Sequence, residues 1–427
     1  MSVYIFAVFV GIVAIGAPIA AAFGLSSFIG IEAFKISNMV TLAQRFFEGI
    51  NSFALLAVPL FTFAGLLMSG GGVGKRLMSF AYSLVGHITG GLAHVNVITS
   101  MLFAHMSGVA AADASFEAEV VMPEMIRKKY DKGFTVAVTA ISSTIGIIIP
   151  PSVPMVIIGG TLGLSTGKLF IGGILPGILC GLAMMLVCYF HSKKHGIPKE
   201  EGGFELKKVW VAFKESFFAL LLLPLILLAI ISGSVSPTEV ALVSVIYTLI
   251  IGKFVYKELN WKSLKMALIG TVKTSAKIFF IIGAASVFGK LLTLSGFDRM
   301  VASALLSVST SPTVILLIIL GMFFIGGMFM ETISLIVMLM PIFYSVALQV
   351  GIDPIHMSVL TVVILGLGLV TPPYGLCLFI CCNAQKLRIW DAIPSLMPFI
   401  IAVLVVVGLL IAVPWFILAP ASLVGLP

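Results

Sequence analysis

Long apolar stretches separated by short polar segments fill most of the chain. A stretch of about 18 to 25 apolar residues is long enough for a helix to cross a hydrocarbon core of ~30 Å. The first stretch has no positively charged segment before it, so we predict a retained helix and not a cleaved signal peptide. The predicted crossings lie near residues 3–24, 50–69, 133–163, 169–191, 216–233, 237–255, 277–294, 357–384 and 392–418.

A second pattern is a repeat that relates the two halves of the chain. IGIIIPPSVP at 145–154 and LGLVTPPYGL at 367–376 each place a double proline inside an apolar run. Corresponding segments are offset by 218 to 226 positions, and the same offset relates residues 66–80 to 291–305. Because proline lacks a backbone donor and clashes with the preceding helical turn, each double proline is expected to break its helix.

Two further apolar stretches, 91–123 and 311–345, are too long for one crossing and are interrupted by small residues. The neighbouring crossings require both ends of each stretch to lie on one side of the membrane, so we predict two re-entrant helical hairpins. Irregular backbone at membrane depth is tolerated where it is buried in protein or lines a cavity. The hairpin tips, near 106–112 and 324–330, are therefore expected to meet the double-proline breaks at the midplane.

The two repeats differ in charge in a way that predicts opposite orientations. The segment after Pro123 is basic, whereas the segment after Pro341 contains no Lys or Arg. Residues 26–48 and 254–274 are both predicted to be helices at the membrane surface, and the second is far richer in Lys. An inverted repeat of this kind is typical of secondary transporters, whose substrate site lies near the midplane between the halves.

Composition agrees with this picture. The chain is 60% hydrophobic and only 10% charged, which indicates a polytopic protein of the lipid bilayer. With the N-terminus in the cytoplasm and the C-terminus in the periplasm, 20 of the 25 Lys and Arg residues fall in cytoplasmic loops. This asymmetry is the one expected of a bacterial inner-membrane protein, and it explains the net charge of +8 without a nucleic-acid partner.

The predicted fold is an all-α membrane protein made of two inverted-topology repeats. Each repeat contains one re-entrant hairpin and one helix broken at a double proline. The predicted boundaries are 1–191 for the first repeat (hairpin 91–123, broken helix 133–163), 192–215 for a basic cytoplasmic loop, and 216–427 for the second repeat (hairpin 311–345, broken helix 357–384).

Candidate cation ligands cluster at the tips and breaks. Asp113 lies ten residues before Pro123, and Glu331 lies ten residues before Pro341. An acid in a membrane segment is costly and usually functional, although capping of the hairpin's second arm is an alternative role. Hydroxyls and carbonyls freed by helix breaks are the hard oxygen ligands that sodium requires, and the alternative for each hydroxyl is a bond within its own helix. The candidates from this argument are Ser107, Asp113, Ser142, Ser143, Thr144, Glu331, Thr332 and Thr371.

An anionic substrate is expected to bind where the tips and breaks meet. Apart from Lys168 at one outer edge, the hairpins and broken helices contain no Lys or Arg. A carboxylate would then be bound mainly by helix N-termini, hydroxyls and bound cations, which favours cation-coupled symport. The predicted substrate-binding residues are Ser107, Pro150, Pro151, Ser152, Gly326, Thr371, Pro372 and Pro373.

Four segments, in this order, resemble the large membrane subunit of tripartite ATP-independent periplasmic (TRAP) transporters: HMSGVAAADAS at 105–115, IIIPPSVPMVIIGG at 147–160, GGMFMETISLIVMLMPI at 326–342 and GLVTPPYGLCLFI at 368–380. The resemblance implies a sodium-driven elevator-type importer of organic acids. It also implies two separate partners, a periplasmic substrate-binding protein and a small four-helix membrane subunit.

The resemblance further implies at least two sodium sites. The first would combine the tip around Ser107 with the break at 142–144 and Asp113, and the second would combine Gly327 with residues from Gly366 to Thr371. One departure from the family pattern is the arm at 115–123, which Glu117 and Glu119 make unusually acidic.

Several alternatives stay open. The sequence most resembles the branch that handles sugar acids such as sialic acid, with C4-dicarboxylates next. A stand-alone sodium-coupled carboxylate or ion transporter of the related superfamily would need no binding protein. A membrane enzyme would need a nucleophile–base pair, a metal cluster or a cofactor loop, and the sequence offers none of these. A passive channel suits paired tips on opposite sides less well than alternating access does.

Overall fold

The structure is a computed structural model that describes residues 1–35, 37–197, 203–232 and 235–424, without the side chains of His105 and Ser107. Every regular element in these ranges is helical. The α-helices of the first half are α1 (Ser2–Ala14), α2 (Ile19–Phe34), α3 (Met39–Ile50), α4 (Ala57–Gly70), α5 (Val73–Val85), α6 (Gly91–Ser107), α7 (Ala110–Val120), α8 (Met122–Arg127), α9 (Lys132–Ser142), α10 (Val153–Leu162) and α11 (Thr166–Lys194).

The second half contains ten more α-helices in its described residues. They are α12 (Leu206–Ile231), α13 (Pro237–Ile250), α14 (Trp261–Leu294), α15 (Phe297–Val308), α16 (Pro312–Gly327), α17 (Thr332–Gln349), α18 (Pro354–Gly368), α19 (Leu376–Gln385), α20 (Ile389–Ala412) and α21 (Trp415–Ala421).

Seven helices in the described residues are long and apolar enough to cross a membrane: Phe53–Gly70, Thr166–Lys194, Leu206–Ile231, Pro237–Val255, Trp261–Leu294, Thr332–Gln349 and Ile389–Ala412. The all-α membrane fold is thus confirmed. α11 and α12 also extend into the predicted loop at 192–215, of which residues 198–202 lie outside the described residues.

The first predicted crossing is not a single helix. α1 and α2 are separated by residues 15–18, where Gly16 has a φ of 85° and Pro18 precedes the first residue of α2. The two helices pack on each other, with the rings of Phe9 and Phe23 stacked at 4.8 Å. The prediction of one helix over 3–24 is wrong because the glycine and proline turn the chain inside a continuous apolar run.

The surface helices also differ from their prediction. Residues 26–48 are shared between the end of α2 and α3, and Asn38 caps α3 by accepting a hydrogen bond from the Thr41 N–H at 2.8 Å. Residues 254–274 and 277–294 do not form two elements, because most of both lie in the 34 residues of α14. No proline stops this helix, which rises over about 51 Å.

Each predicted hairpin region consists of two helices that pack side by side. α6 and α7 are joined at Gly108 and Val109, and the rings of Phe103 and Phe116 stack at 4.2 Å. α16 and α17 are joined by residues 328–331, but α17 runs on to Gln349, past the predicted end of the second hairpin at 345.

Both double prolines interrupt their helices. Residues 143–152 separate α9 from α10 and include a 3-10 turn at Ser143–Ile147, whereas residues 369–375 separate α18 from α19. The Pro150–Pro151 and Pro372–Pro373 peptide bonds are both cis. α9 and α18 are almost completely buried, while outer helices expose apolar side chains such as Leu228 and Val405, which suits contact with lipid. The core therefore lies around the broken helices.

Candidate binding site at the hairpin tips and helix breaks

Each hairpin tip is tied by a backbone hydrogen bond to the break of its own half. The N–H of Val153 donates to the Gly108 carbonyl at 3.2 Å, and the N–H of Tyr374 donates to the Met328 carbonyl at 3.1 Å. In both halves the donor follows the double proline and the acceptor lies at the tip. Each tip and its break therefore form one connected unit.

Glycines of the second broken helix allow close approach both to the first half and within the second half. A Cβ placed on Gly366 would lie 3.3 Å from Cβ of Thr144, so the second broken helix passes directly over the first break. A Cβ placed on Gly368 would lie 2.7 Å from Cα of Gly327, where backbone meets backbone. The structure therefore brings Thr144, Gly327 and Gly366 of the predicted sodium sites to neighbouring positions.

The predicted Gly326 has a different surrounding. A Cβ on this residue would lie 2.8 Å from Cδ2 of Leu335, within the same hairpin. Its position is explained by the packing of α16 against α17.

A buried polar network that the sequence argument missed fixes Ser142. The hydroxyl of Ser142 donates to Oδ1 of Asn96 at 2.8 Å and lies 3.3 Å from Oε2 of Glu117. Ser100 donates to Oε1 of the same Glu117, and Asn96 Nδ2 donates to the Thr139 hydroxyl at 2.7 Å. All five side chains are fully buried. The sequence signal for this network is the unexpected Glu117, together with the spacing of Asn96 and Ser100 by one helical turn.

Asp113 is buried against the first break. A Cβ placed on Gly146 would collide with Oδ2 of Asp113, so the carboxylate lies directly over the 3-10 turn between α9 and α10. The structure therefore places this acid where the first sodium site is predicted. A carboxylate at such a position adds negative charge beside freed backbone groups.

Several predicted hydroxyl ligands form hydrogen bonds within their own helix segments. Ser143 donates to the Ala140 carbonyl at 2.8 Å, and Thr144 donates to the Ile141 carbonyl at 2.7 Å. Thr371 donates to Leu367, also at 2.7 Å. A hydroxyl that donates its proton keeps lone pairs that can accept a cation, so these bonds do not prevent coordination.

The second tip has a different set of polar groups. Within the described residues, the hydroxyls of Thr332 and Ser334 are buried without a hydrogen-bond partner. Glu331 occupies the N-cap position of α17 but its side chain does not cap the helix, so the capping alternative fails for this acid. Its Oε2 lies 3.9 Å from Nζ of Lys277. An orphaned buried hydroxyl is costly, so this tip suits an additional ligand.

The predicted substrate residues differ in exposure. Pro150, Pro151 and Ser152 are buried, whereas Pro372 is half-buried and Pro373 is exposed. The second break is therefore the accessible one. The side chain of Ser107 lies outside the described part of the chain.

A cavity of about 620 Å³, here called the hairpin cavity, lies between both hairpins, α4, α14 and α19. Its charged lining residues are Lys273, Lys277, Glu119 and Glu331. The hairpins and broken helices contain no Lys or Arg, so both lysines of this cavity come from α14. Lys273 falls in the predicted surface helix 254–274 and Lys277 at the start of the predicted crossing 277–294, whereas the uninterrupted α14 places both beside the hairpins.

A second cavity of about 490 Å³, here called the α3 cavity, lies between α3, the second half of α14 and α17. Its lining positions correspond to those of the hairpin cavity at nearly constant offsets. An offset of 224 relates 62, 65, 66 and 69 to 286, 289, 290 and 293, and an offset of 226 relates 111, 112, 115, 116 and 119 to 337, 338, 341, 342 and 345.

Comparison with known families gives one match across nearly the whole chain. The family described as "Tripartite ATP-independent periplasmic transporter, DctM component" matches residues 6–416. This range includes both hairpins and both double-proline breaks.

Curated relatives carry names of the same kind. The sialic acid TRAP transporter large permease protein SiaM of Vibrio cholerae is 37% identical over 90% of this chain and 90% of its own. The C4-dicarboxylate TRAP transporter large permease protein DctM of Pseudomonas aeruginosa is 34% identical over 94% of each chain. The isethionate TRAP transporter permease protein DctMQ of Oleidesulfovibrio alaskensis is 36% identical over 96% of this chain, which spans 65% of that longer protein.

A solved structure shares the fold. The Alcanivorax borkumensis YdaH transporter superimposes with a TM-score of 0.60 over 88% of this chain and 87% of its own, at 16% sequence identity. This likeness concerns the fold alone.

Proposed function

The chain belongs to the family of DctM components of tripartite ATP-independent periplasmic transporters, and on that premise we propose that it imports an organic acid by sodium-coupled alternating access. It is a multi-pass membrane protein and the large permease of a secondary transporter, and its relatives are named as permeases. The family implies a periplasmic binding protein and a small membrane subunit as partners. We propose that this chain works with both partners and that its N-terminus is cytoplasmic.

The observation that carries the alternating-access proposal is the correspondence between the two cavities. Equivalent faces of the two halves line the hairpin cavity and the α3 cavity, as an inverted repeat requires if the same site is to face either side in turn. The backbone bonds from Gly108 to Val153 and from Met328 to Tyr374 tie tips to breaks. In the proposed elevator mechanism these units move together against α4 and α14.

The residues at both breaks suit sodium. Asp113, Ser142, Ser143 and Thr144 would hold an ion in the first half. In the second half Gly327, Gly366, Thr371 and the orphaned Thr332 hydroxyl would supply oxygen ligands, with Glu331 nearby. Hydroxyl, carbonyl and carboxylate oxygens are hard ligands, as this ion requires. Bound sodium would supply the positive charge that couples its own gradient to uptake of an anion.

We propose a sugar acid such as sialic acid as the substrate, with a C4-dicarboxylate as the second candidate. Relatives named for each of these classes match nearly the whole chain at similar identity. A stand-alone sodium-coupled transporter that needs no binding protein is the competing function.

Uptake into proteoliposomes tests the proposal. The chain is reconstituted with its small subunit, and labelled sialic acid or succinate is added with or without the binding protein and an inward sodium gradient. We expect uptake that requires both. Uptake driven by sodium but indifferent to the binding protein would support the stand-alone transporter, and uptake indifferent to sodium would contradict the coupling.

A further inference from the structure

We propose that Lys273 and Lys277 form an anion-binding wall of the hairpin cavity, where the acid group of the substrate binds and replaces Glu331 as the partner of Lys277. This inference rests on the proposed transport function and assigns the chemical class that the site takes, a carboxylate or sulfonate. It also assigns the recognition of charge to α14 and not to the hairpins.

The two lysines share one face of α14. They are four residues apart, so their side chains lie one above the other on the helix surface. Between them in sequence, Thr274 also lines the hairpin cavity. The ion pair with Glu331 places Lys277 opposite the second tip, and Val109 of the first tip lines the same cavity. Both lysines therefore line the space between the two tips.

Lys277 keeps capacity for another partner. Its Nζ lies 3.9 Å from Oε2 of Glu331, a distance too long for a hydrogen bond. The Lys277 side chain is 68% exposed, whereas that of Glu331 is 25% exposed. An ammonium group has three donors, and this long contact satisfies none of them fully. An incoming acid group can therefore bind Lys277 more closely than Glu331 does.

The rest of the cavity suits a small organic acid. A volume of about 620 Å³ lies within the range of small-molecule sites, and apolar side chains such as Leu66 and Ile380 line it beside the charges. Apolar side chains beside the charges can pack against the part of the molecule that carries no charge. Lysine is a compact point charge, so it accepts a carboxylate or a sulfonate without a fixed geometry.

The names of the relatives point to the same chemistry. Isethionate, sialic acid and C4-dicarboxylates differ in size and shape but share an acid group that is negative at neutral pH. A wall of two lysines recognises this shared feature, while the remainder of the cavity distinguishes the molecules.

Displacement of Glu331 from Lys277 by the anion can link binding of the anion to binding of the coupling ion. Glu331 directly precedes Thr332, whose buried hydroxyl has no partner in the described residues. When an acid group binds the ammonium group of Lys277, the Glu331 carboxylate loses its partner and becomes available to sodium at the second tip. Binding of the anion then strengthens binding of sodium, as symport requires.

Cysteine labelling tests the anion wall without knowledge of the natural substrate. All five native cysteines are buried, so Thr274→Cys provides a reporter between the two lysines. The rates of reaction with a negatively charged and a positively charged methanethiosulfonate reagent are compared, with and without succinate, sialic acid or isethionate. The variants are Lys273→Gln, Lys277→Gln and Lys277→Arg, with Lys265→Gln as the control on the same helix outside the cavity.

We expect the anionic reagent to react faster with the reporter thiol than the cationic reagent does, and we expect at least one of the three anions to protect the reporter. Lys277→Gln should lower the ratio of anionic to cationic rates by about fivefold, as loss of one nearby charge predicts, and should abolish protection. Lys273→Gln should act in the same direction, whereas Lys277→Arg and Lys265→Gln should keep both properties. An unchanged ratio in both Gln variants, or no protection by any anion in the parent, would overturn the proposal.

Uptake assays on the same preparations separate this inference from the proposed function. Sodium-driven uptake together with lysine-independent labelling would overturn the anion wall and leave the function standing. Lysine-dependent labelling and protection without sodium-dependent uptake would support the anion wall and contradict the sodium coupling. Each variant should still elute from gel filtration as a single species, and Lys277→Arg should keep its charge ratio and protection. These two results distinguish loss of charge from misfolding.

Discussion

The two double-proline breaks have the same sequence design but opposite surroundings. At the first break, Pro150 and Pro151 are buried, and the neighbouring Ser142 is held by Asn96 and Glu117. At the second, Pro373 is exposed and Thr332 of the nearby tip has a buried hydroxyl without a partner in the described residues. The polar side chains around Ser142 thus have partners, whereas Thr332 and Ser334 at the second tip have none in the described residues.

This difference shows how one motif can serve two tasks. A fully hydrogen-bonded buried network rigidifies its surroundings, so the first break is suited to hold a preformed site. Groups without partners gain most when a ligand arrives, so the second break is suited to respond to one. We infer that the binding of ions and substrate changes the second half more than the first.

Breaking the first network should have the largest effect on stability. Glu117→Ala removes the carboxylate that accepts from Ser100, leaves Ser100 only the longer bond to the Asn96 carbonyl at 3.3 Å, and creates a cavity in a fully buried cluster. We expect a loss of about 3–5 kcal/mol in the free energy of unfolding, because removal of one partner from a buried polar network is strongly destabilising. Thermal unfolding of the purified protein measures it.

The matched variants are Glu117→Gln, which keeps an acceptor for Ser100, and Glu331→Ala at the second tip. The unfolding temperatures of both variants should be closer to that of the wild type than the unfolding temperature of Glu117→Ala is. An equal loss for Glu117→Ala and Glu331→Ala would remove the contrast between the two halves.

An intermediate effect is expected where the backbones of the second half touch. Gly368→Ala would place a methyl group 2.7 Å from Cα of Gly327, and neither backbone can move aside alone. We expect a loss of about 1–3 kcal/mol, the usual cost of overpacking. Gly321→Ala on α16 is the control, because nothing lies within 4 Å of its added Cβ. Unfolding temperatures that fall equally for both variants would contradict the close approach.

Local signals predicted much of the fold. The double prolines predicted interrupted helices at the right places, since proline acts on its own turn wherever it lies. The turn at Gly16 and Pro18 carries the same kind of signal, but an apolar run longer than 20 residues concealed it. The change in polarity near residue 275 predicts a boundary inside α14, but no helix-stopping residue marks one and the helix continues.

The site was harder to predict because its contacts join distant residues. Thr144 and Gly366 meet across 222 positions, and Lys277 meets Glu331 across 54, which no local pattern encodes. The acids at the tips were found because a charge in an apolar segment is conspicuous. Asn96 and Ser100 escaped notice because single small polar residues in such a segment usually bond within their own helix.

The smallest effect on stability, and the sharpest test of the contrast, concerns the orphaned hydroxyl of Thr332. Thr332→Val keeps the shape of the side chain and removes a buried hydroxyl that has no partner in the described residues, so the free energy of unfolding in sodium-free buffer should change by less than about 0.5 kcal/mol.

If this oxygen coordinates sodium, loss of about 1.4 kcal/mol of binding free energy would raise the sodium concentration needed for half-maximal uptake about tenfold. Sodium should also raise the unfolding temperature of Thr332→Val less than that of the wild type, because at the same concentration a more weakly bound ligand stabilises the folded state less. Ser307→Ala on α15 is a control, because its hydroxyl is exposed, bonds to the Ala304 carbonyl at 2.7 Å and lines neither cavity. Equal sodium dependence in the two variants would show that the second tip leaves its hydroxyl unsatisfied without using it for the ion.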